Sequence, residues 1–143
     1  MSHLNFDIKT LNLRVDATLC DHAQVYAEKM GPSGSISHDG GELSTFSEGE
    51  NLYAGWNGSA QGAASRFVNA IDAWYAENQH YNYVDGTCAD GEVCGHFTQQ
   101  MWQGSTKVCY GYHLGDDGWE YVVARYSARG NFLGQFTANV AAP

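Results

Sequence analysis

The sequence predicts a mixed α+β fold, layered helix–sheet–helix, and three observations point to it. Two stretches repeat apolar residues at helical spacing, and two others alternate around a Gly-Asp-Asp-Gly turn. The last of these strands is apolar or aromatic on both faces. A strand with no polar face has to be covered from both sides, which places helices on each face of the sheet.

The first helix is predicted over residues 17–30. Asp16 is placed to cap it, Leu19, Ala23, Tyr26, Ala27 and Met30 fall on one face, and Gly31-Pro32 stops the pattern. Residues 31–58 are rich in Gly and Ser and read as mostly loop. A second helix is predicted from about Ala63 to Asn78, with Phe67, Ala70, Ile71, Trp74 and Tyr75 on its buried side. Residues 79–95 read as another loop. Ser105 to Leu114 alternates with Val108, Tyr110, Tyr112 and Leu114 on one face. Gly115-Asp116-Asp117-Gly118 turns the chain, and Trp119 to Tyr126 returns as a strand.

The chain has 143 residues, enough for one domain over 1–143. Its 16 acidic and 7 basic residues give a net charge of −9, which argues against nucleic acid and against an anionic membrane face. No run approaches the roughly 18 apolar residues of a membrane-spanning helix. High charge and few aliphatics would ordinarily favour disorder, but four Trp, nine Tyr and six Phe supply a core built on rings.

Met1-Ser2-His3-Leu4-Asn5 shows no basic segment followed by an apolar one, so no signal peptide is visible. Cys88 and Cys94 flank a Gly/Asp turn and are expected to form a local disulfide, the bond of an oxidising compartment. Cys20 and Cys109 are expected as buried thiols. No C-x-x-C pair marks a zinc knuckle. Asn57-Gly58-Ser59 is an N-glycosylation sequon. The disulfide and the sequon favour a secreted, extracellular protein.

Four residues carry the chemistry worth weighing. His38 and Glu50 lie in the first glycine-rich stretch, Glu77 closes the second helix, and His96 follows Gly95. Two imidazoles and two carboxylates can hold a divalent ion. Their separations match no local metal signature, and each also reads as a solvated or capping residue. His22 and His80 have no evident role. The chain has no G-x-S-x-G elbow, no H-E-x-x-H, no P-loop and no dinucleotide glycine pattern.

Three strings carry a resemblance to a known family. Gly49-Glu50-Asn51-Leu52, the run Gly95-His96-Phe97-Thr98-Gln99-Gln100-Met101-Trp102, and Tyr121-Val122-Val123-Ala124-Arg125-Tyr126 with Gly130-Asn131-Phe132 closely resemble the signature motifs of the CAP family. That family groups cysteine-rich secretory proteins, antigen 5 and pathogenesis-related 1 proteins. Trp74-Tyr75 and Tyr81-Asn82-Tyr83 fit the helix that precedes its histidine motif. The resemblance covers about residues 11–143. Val-Val-Ala-Arg-Tyr and the ending Phe136-Thr137-Ala138-Asn139-Val140 look most like the Golgi-associated pathogenesis-related subgroup.

The resemblance implies an α–β–α sandwich around a groove, with a central antiparallel sheet and with the family's usual first helix missing from this chain. It maps His38, Glu50, Glu77 and His96 onto the family's four functional positions. His38 and His96 would hold Zn²⁺ or a similar divalent metal, with Glu50 and Glu77 behind them. Sterol or fatty acid, a protein partner and a homodimer are the other associations it implies. Ala124 stands where many secreted members have a cysteine, so their disulfide pairing does not carry over. The function expected is a non-enzymatic binding module. The alternatives are an interaction module whose four residues only brace loops, and a metal-dependent hydrolase with Glu50 or Glu77 as base. The subgroup's alternative location is intracellular and membrane-associated.

Overall fold

The computed structural model describes residues 13–33, 35–56 and 65–143. Strand β1 (Arg14–Val15) leads into helix α1 (Ala17–Ser33), followed by a short helix α2 (Gly40–Phe46) and strand β2 (Gly49–Trp56). Helix α3 (Val68–Ala76) runs into a 3-10 turn over Glu77–His80 and a two-residue hairpin, β3 (Tyr81–Asn82) and β4 (Thr87–Cys88). Helix α4 (Gly95–Met101), strands β5 (Lys107–Leu114) and β6 (Trp119–Ser127) and helix α5 (Phe136–Asn139) complete the chain.

The main sheet has the order β1-β5-β6-β2. Its β5–β6 and β6–β2 ladders are antiparallel, and the short β1 adds parallel to β5. β6 is buried from Glu120 to Tyr126, as a strand apolar on both faces must be. On one side Tyr121 and Val123 pack with Leu52 against Ala23, Tyr26, Ala27 and Met30 of α1. On the other, Val122, Ala124 and Tyr126 pack with Val108 and Tyr112 against Ala70 and Trp74 of α3. A third cluster, Tyr81, Cys94, Phe97, Trp102 and Val140, closes the α4 end. The layered α+β architecture is therefore as expected. Among the described residues, no helix is long and apolar enough to cross a membrane.

α1 begins where Asp16 predicts, because its Oδ1 accepts from the Thr18 and Leu19 amides at 3.0 and 3.2 Å. All five apolar residues of its predicted face are buried, and the helix runs through Gly31-Pro32 to Ser33 rather than stopping there. α1 lies so close to β5 that a Cβ on Gly111 would run into the Ala23 carbonyl. α3 starts at Val68, later than predicted, after a turn over 65–67.

Two expectations need correction. The stretch expected as loop over 31–58 contains α2 and the whole of β2. Asp39 caps α2 by accepting from the Glu42 amide (3.3 Å). β2 extends because it pairs with β6 along its full length, from Gly49 opposite Tyr126 to Trp56 opposite Trp119. Tertiary pairing there overrides weak strand propensity. Cys20 and Cys109 are not free thiols but a disulfide, with Cα atoms 4.8 Å apart, because α1 sits directly on β5. The local Cys88–Cys94 disulfide is present as expected. The sequon at Asn57 lies outside the described residues.

Candidate functional site

The four candidate residues form two His–Glu pairs. Glu50 is the second residue of β2 and stands directly opposite Arg125 of β6, both on the face that α1 covers. Its Oε1 accepts from His38 Nδ1 (2.8 Å) and from the Asp39 amide (3.3 Å), and its Oε2 accepts from Arg125 Nε (2.7 Å). The Glu50 side chain is fully buried, while the His38 side chain is 59 % exposed. His38 thus presents its ring to solvent from a buried anionic anchor. The hydrogen bond to Glu50 holds the His38 imidazole above its ordinary pKa, against the opposing pull of burial.

The second pair is built on backbone. Glu77 follows α3 and reaches the first turn of α4. Its Oε2 accepts from the amides of His96 and Phe97, each at 3.0 Å, and its Oε1 accepts from His96 Nδ1 at 2.6 Å. The Trp74 indole stacks on the His96 ring with centroids 6.3 Å apart and planes 14° apart. Trp74 Nε1 donates to the Leu52 carbonyl (3.1 Å), which fixes the indole against β2.

β2 joins the two pairs. Glu50 holds His38, and its neighbour Asn51 donates from Nδ2 to the His96 carbonyl (2.9 Å). Strand alternation sends the two side chains to opposite faces, so the edge of one strand anchors both histidines. A Cβ on Gly49 ahead of them would run into the Gln99 side-chain amide, which is buried and bonded to Ser105 and the Gly130 amide. In each pair Nδ1–H donates to the carboxylate, and Nε2 has no hydrogen-bond partner among the described residues. That is the tautomer an imidazole needs to bind a metal through Nε2. Each ring is set to donate through Nε2, but among the described residues no three His, Cys, Asp or Glu side chains assemble into a group that could hold a metal ion.

Reading the sequence did not pick out three further members of the site. Arg125 anchors Glu50 from behind, Glu48 shares the same guanidinium (Nη1 to Oε2, 3.0 Å), and His22 donates to Glu48 (Nδ1 to Oε1, 2.6 Å). The available signal was Arg125 itself, a charge inside a strand with two apolar faces. His80, the other histidine without an evident role, lies 3.5 Å from Glu92 at the surface.

Fold and motifs together define a class. The chain belongs to the CAP family, described as the cysteine-rich secretory protein family, whose model matches residues 9–126. Among individual proteins it is similar to pathogenesis-related protein PR-1 of Medicago truncatula, with 34 % identity over 125 residues that cover 84 % of this chain. The chain spans 64 % of that relative's length. The solved structure of BmVAL-1 superposes with a TM-score of 0.72 at 21 % identity, covering 92 % of this chain and 67 % of BmVAL-1. The crystal structure of NaASP2 with Zn²⁺ gives a TM-score of 0.67 at 22 % identity, covering 85 % of this chain and 63 % of NaASP2. These two likenesses show the shared fold.

Proposed function

We propose that residues 1–143 form a single CAP domain acting as a non-enzymatic binding module, with Zn²⁺ or a similar divalent ion held by His38 and His96 through Nε2. Glu50 and Glu77 would orient the two rings and balance the ion's charge. The observation that carries this reading is the state of the two imidazoles. Each has Nδ1 committed to a carboxylate, and both are fastened to the consecutive β2 residues Glu50 and Asn51. That a protein of the same fold, NaASP2, was crystallised with Zn²⁺ supports it. Two protein nitrogens are fewer than the three ligands usual at a catalytic zinc, which favours binding over hydrolysis.

The second reading is a purely structural role. It draws on Glu77, whose bonds to the His96 and Phe97 amides would brace α4 with or without a metal. Calorimetry with Zn²⁺ separates the two. Binding lost in both His38→Ala and His96→Ala supports the metal role, and unchanged heats in both variants reject it. A sterol or fatty acid, a protein partner and a homodimer belong to the same proposal. Extraction and mass spectrometry of the purified protein test the lipid. The two disulfides favour an extracellular location. The Golgi-associated subgroup remains the proposed finer affiliation, with its intracellular, membrane-associated location as the alternative.

A further inference from the structure

We propose that the hollow between the β3–β4 hairpin, the start of α4 and α5 docks a basic peptide segment of a partner protein. The segment seats an apolar side chain inside and sets Lys or Arg against Asp85, Asp90 and Glu92. The hollow has a volume of about 380 Å³, at the small end of the range for ligand sites. Its wall is mostly apolar: Tyr81 and Gly86 of the hairpin, the Cys88–Cys94 disulfide, and Phe136 of α5. The polar side chains of the wall are bonded to the wall itself. Thr98 Oγ1 donates to Asn131 Oδ1 (2.6 Å), and Asn131 Nδ2 donates to the Gly95 carbonyl (2.8 Å). The Tyr81 hydroxyl is itself buried and is not presented to the hollow. A strongly polar ligand would lose its water here and find no open side-chain partner among the described residues. An apolar group gains from burial alone.

What surrounds the hollow selects the occupant. Val84, at the hairpin tip, is 90 % exposed, and Leu133, in the turn before α5, is 92 % exposed; Val93 beside Cys94 is exposed as well. Single aliphatics on a surface are ordinary, but each of these three stands within two residues of the wall. They continue the apolar surface outside the hollow, within reach of a peptide that runs across it. The rim is anionic. Asp85 adjoins Gly86, Asp90 and Glu92 lie in the loop between the two cysteines, and all three are exposed. Between Arg66 and Lys107 the chain has five acids and no Lys or Arg. The bases nearest along the chain are Arg129, which lies over the Phe132 ring at 5.0 Å, and His80, whose Nε2 stands 3.5 Å from Glu92. Such a rim attracts a cationic partner and repels an anionic membrane face. A neutral lipid would fill the hollow but leave the rim acids without a counterpart. A peptide with an apolar anchor between basic residues meets both, with the apolar centre and polar rim that protein interfaces share. This gives the protein partner of the binding-module reading a place and a chemistry, and it needs no metal.

The test titrates the metal-free full chain with a synthetic peptide that has Phe-Leu between two pairs of lysines, followed by amide ¹H–¹⁵N NMR. Shifts are expected at Gly86, Cys94, Gly95 and Phe136 and not along α1. Two control peptides need no protein variant, so they do not depend on folding. With Ser-Ser in place of Phe-Leu, binding should weaken about tenfold or more. With Glu in place of each Lys it should be lost. An absence of shifts, shifts centred away from the hollow, or equal binding by the Ser-Ser peptide overturns the proposal, the last because it would show attraction by net charge alone. On the protein side, Asp90→Lys with Glu92→Lys should weaken binding about tenfold, and Val84→Ser with Leu133→Ser about fivefold. All four of these residues are exposed. Unchanged affinity in both double variants also overturns the proposal. Phosphatidylcholine vesicles carrying cholesterol are the competing occupant. If they shift the same amides and the peptide does not, the hollow is a lipid seat and the proposal fails. Zn²⁺ calorimetry is read separately, so failure of either reading leaves the other to be judged on its own.

Discussion

The two histidine pairs solve the same problem with different materials. In the α4 half, Glu77 is held by two backbone amides of a helix start, and the imidazole is the third donor. In the α1 half, the corresponding carboxylate is held by a side chain, Arg125, which is itself surrounded by acids. Each half also has its own disulfide. Cys88–Cys94 closes a short loop just ahead of His96, and Cys20–Cys109 ties α1 to the sheet across 89 residues of sequence. The difference is that Glu77 is held by the backbone beside the ring it binds, whereas Glu50 is held chiefly by the side chain of Arg125, 75 residues away in sequence.

The disulfides give the largest test of that contrast. Loop-closure entropy assigns about 4.6 kcal/mol to a crosslink of the Cys20–Cys109 span and about 2.4 kcal/mol to one of the Cys88–Cys94 span. Replacing Cys20 and Cys109 by Ala should therefore lower stability in urea roughly twice as much as replacing Cys88 and Cys94. Equal losses would show that the long crosslink does not set the stability of the α1 half.

Arg125→Met comes next. It leaves the buried Glu48 and Glu50 carboxylates with no cation, and breaking a buried ion pair from one side costs about 3–5 kcal/mol. Glu77→Gln should cost less, about 1–3 kcal/mol, because the amide oxygen still accepts from the His96 and Phe97 amides. Denaturant midpoints measure both. A loss for Glu77→Gln as large as that for Arg125→Met would erase the distinction between a backbone-held and a charge-held acid.

Metal affinity sharpens it further. Replacing a carboxylate that orients a ligand histidine weakens binding by about 10–100-fold. Glu50→Gln should fall toward the upper end, since it removes the carboxylate that holds His38 and turns an amide toward the Arg125 guanidinium. Glu77→Gln should fall toward the lower end, with its position still fixed by backbone. Calorimetry with Zn²⁺ on both variants is the check, and the reverse order would mean that the His96 pair is the more dependent of the two.

How much of this was legible in the sequence follows the same division. α1 could be read because its signals are local: Asp16 at the cap, and five apolar residues on one face. β6 could be read because both its faces are apolar, which also predicted the layers. β2 could not. Gly49-Glu50-Asn51 has no strand propensity of its own and is extended only because β6 lies beside it. The disulfide of Cys20 was illegible for a similar reason, its partner being set by how α1 docks on β5. His38, Glu50, Glu77 and His96 were singled out by motif resemblance, not by spacing, and which carboxylate serves which histidine depends on topology. His22 gave no sign of its role. Its partner Glu48 is brought into place by the end of α2, where Ser47 adopts a left-handed conformation (φ 53°).

The smallest effect expected is on pH dependence, and it probes the His38 pair without any metal. The hydrogen bond to Glu50 raises the His38 pKa in the folded protein above the ordinary value of 6.5. A raised value means that the folded state binds the proton more tightly than the unfolded chain does. The stabilisation from His38 is therefore fully present below about pH 6.5 and is lost as the pH climbs through the higher folded value. Because the ring is largely exposed, the change is modest and diminishes with added salt. Unfolding midpoints followed upward from pH 6 should show a decline that His38→Gln flattens. A decline that survives in His38→Gln would have to come from another group and would detach the titration from the Arg125 side of the site. The same proton competes with a metal for Nε2, so Zn²⁺ binding at His38 should begin to weaken at a higher pH than an unperturbed imidazole would require.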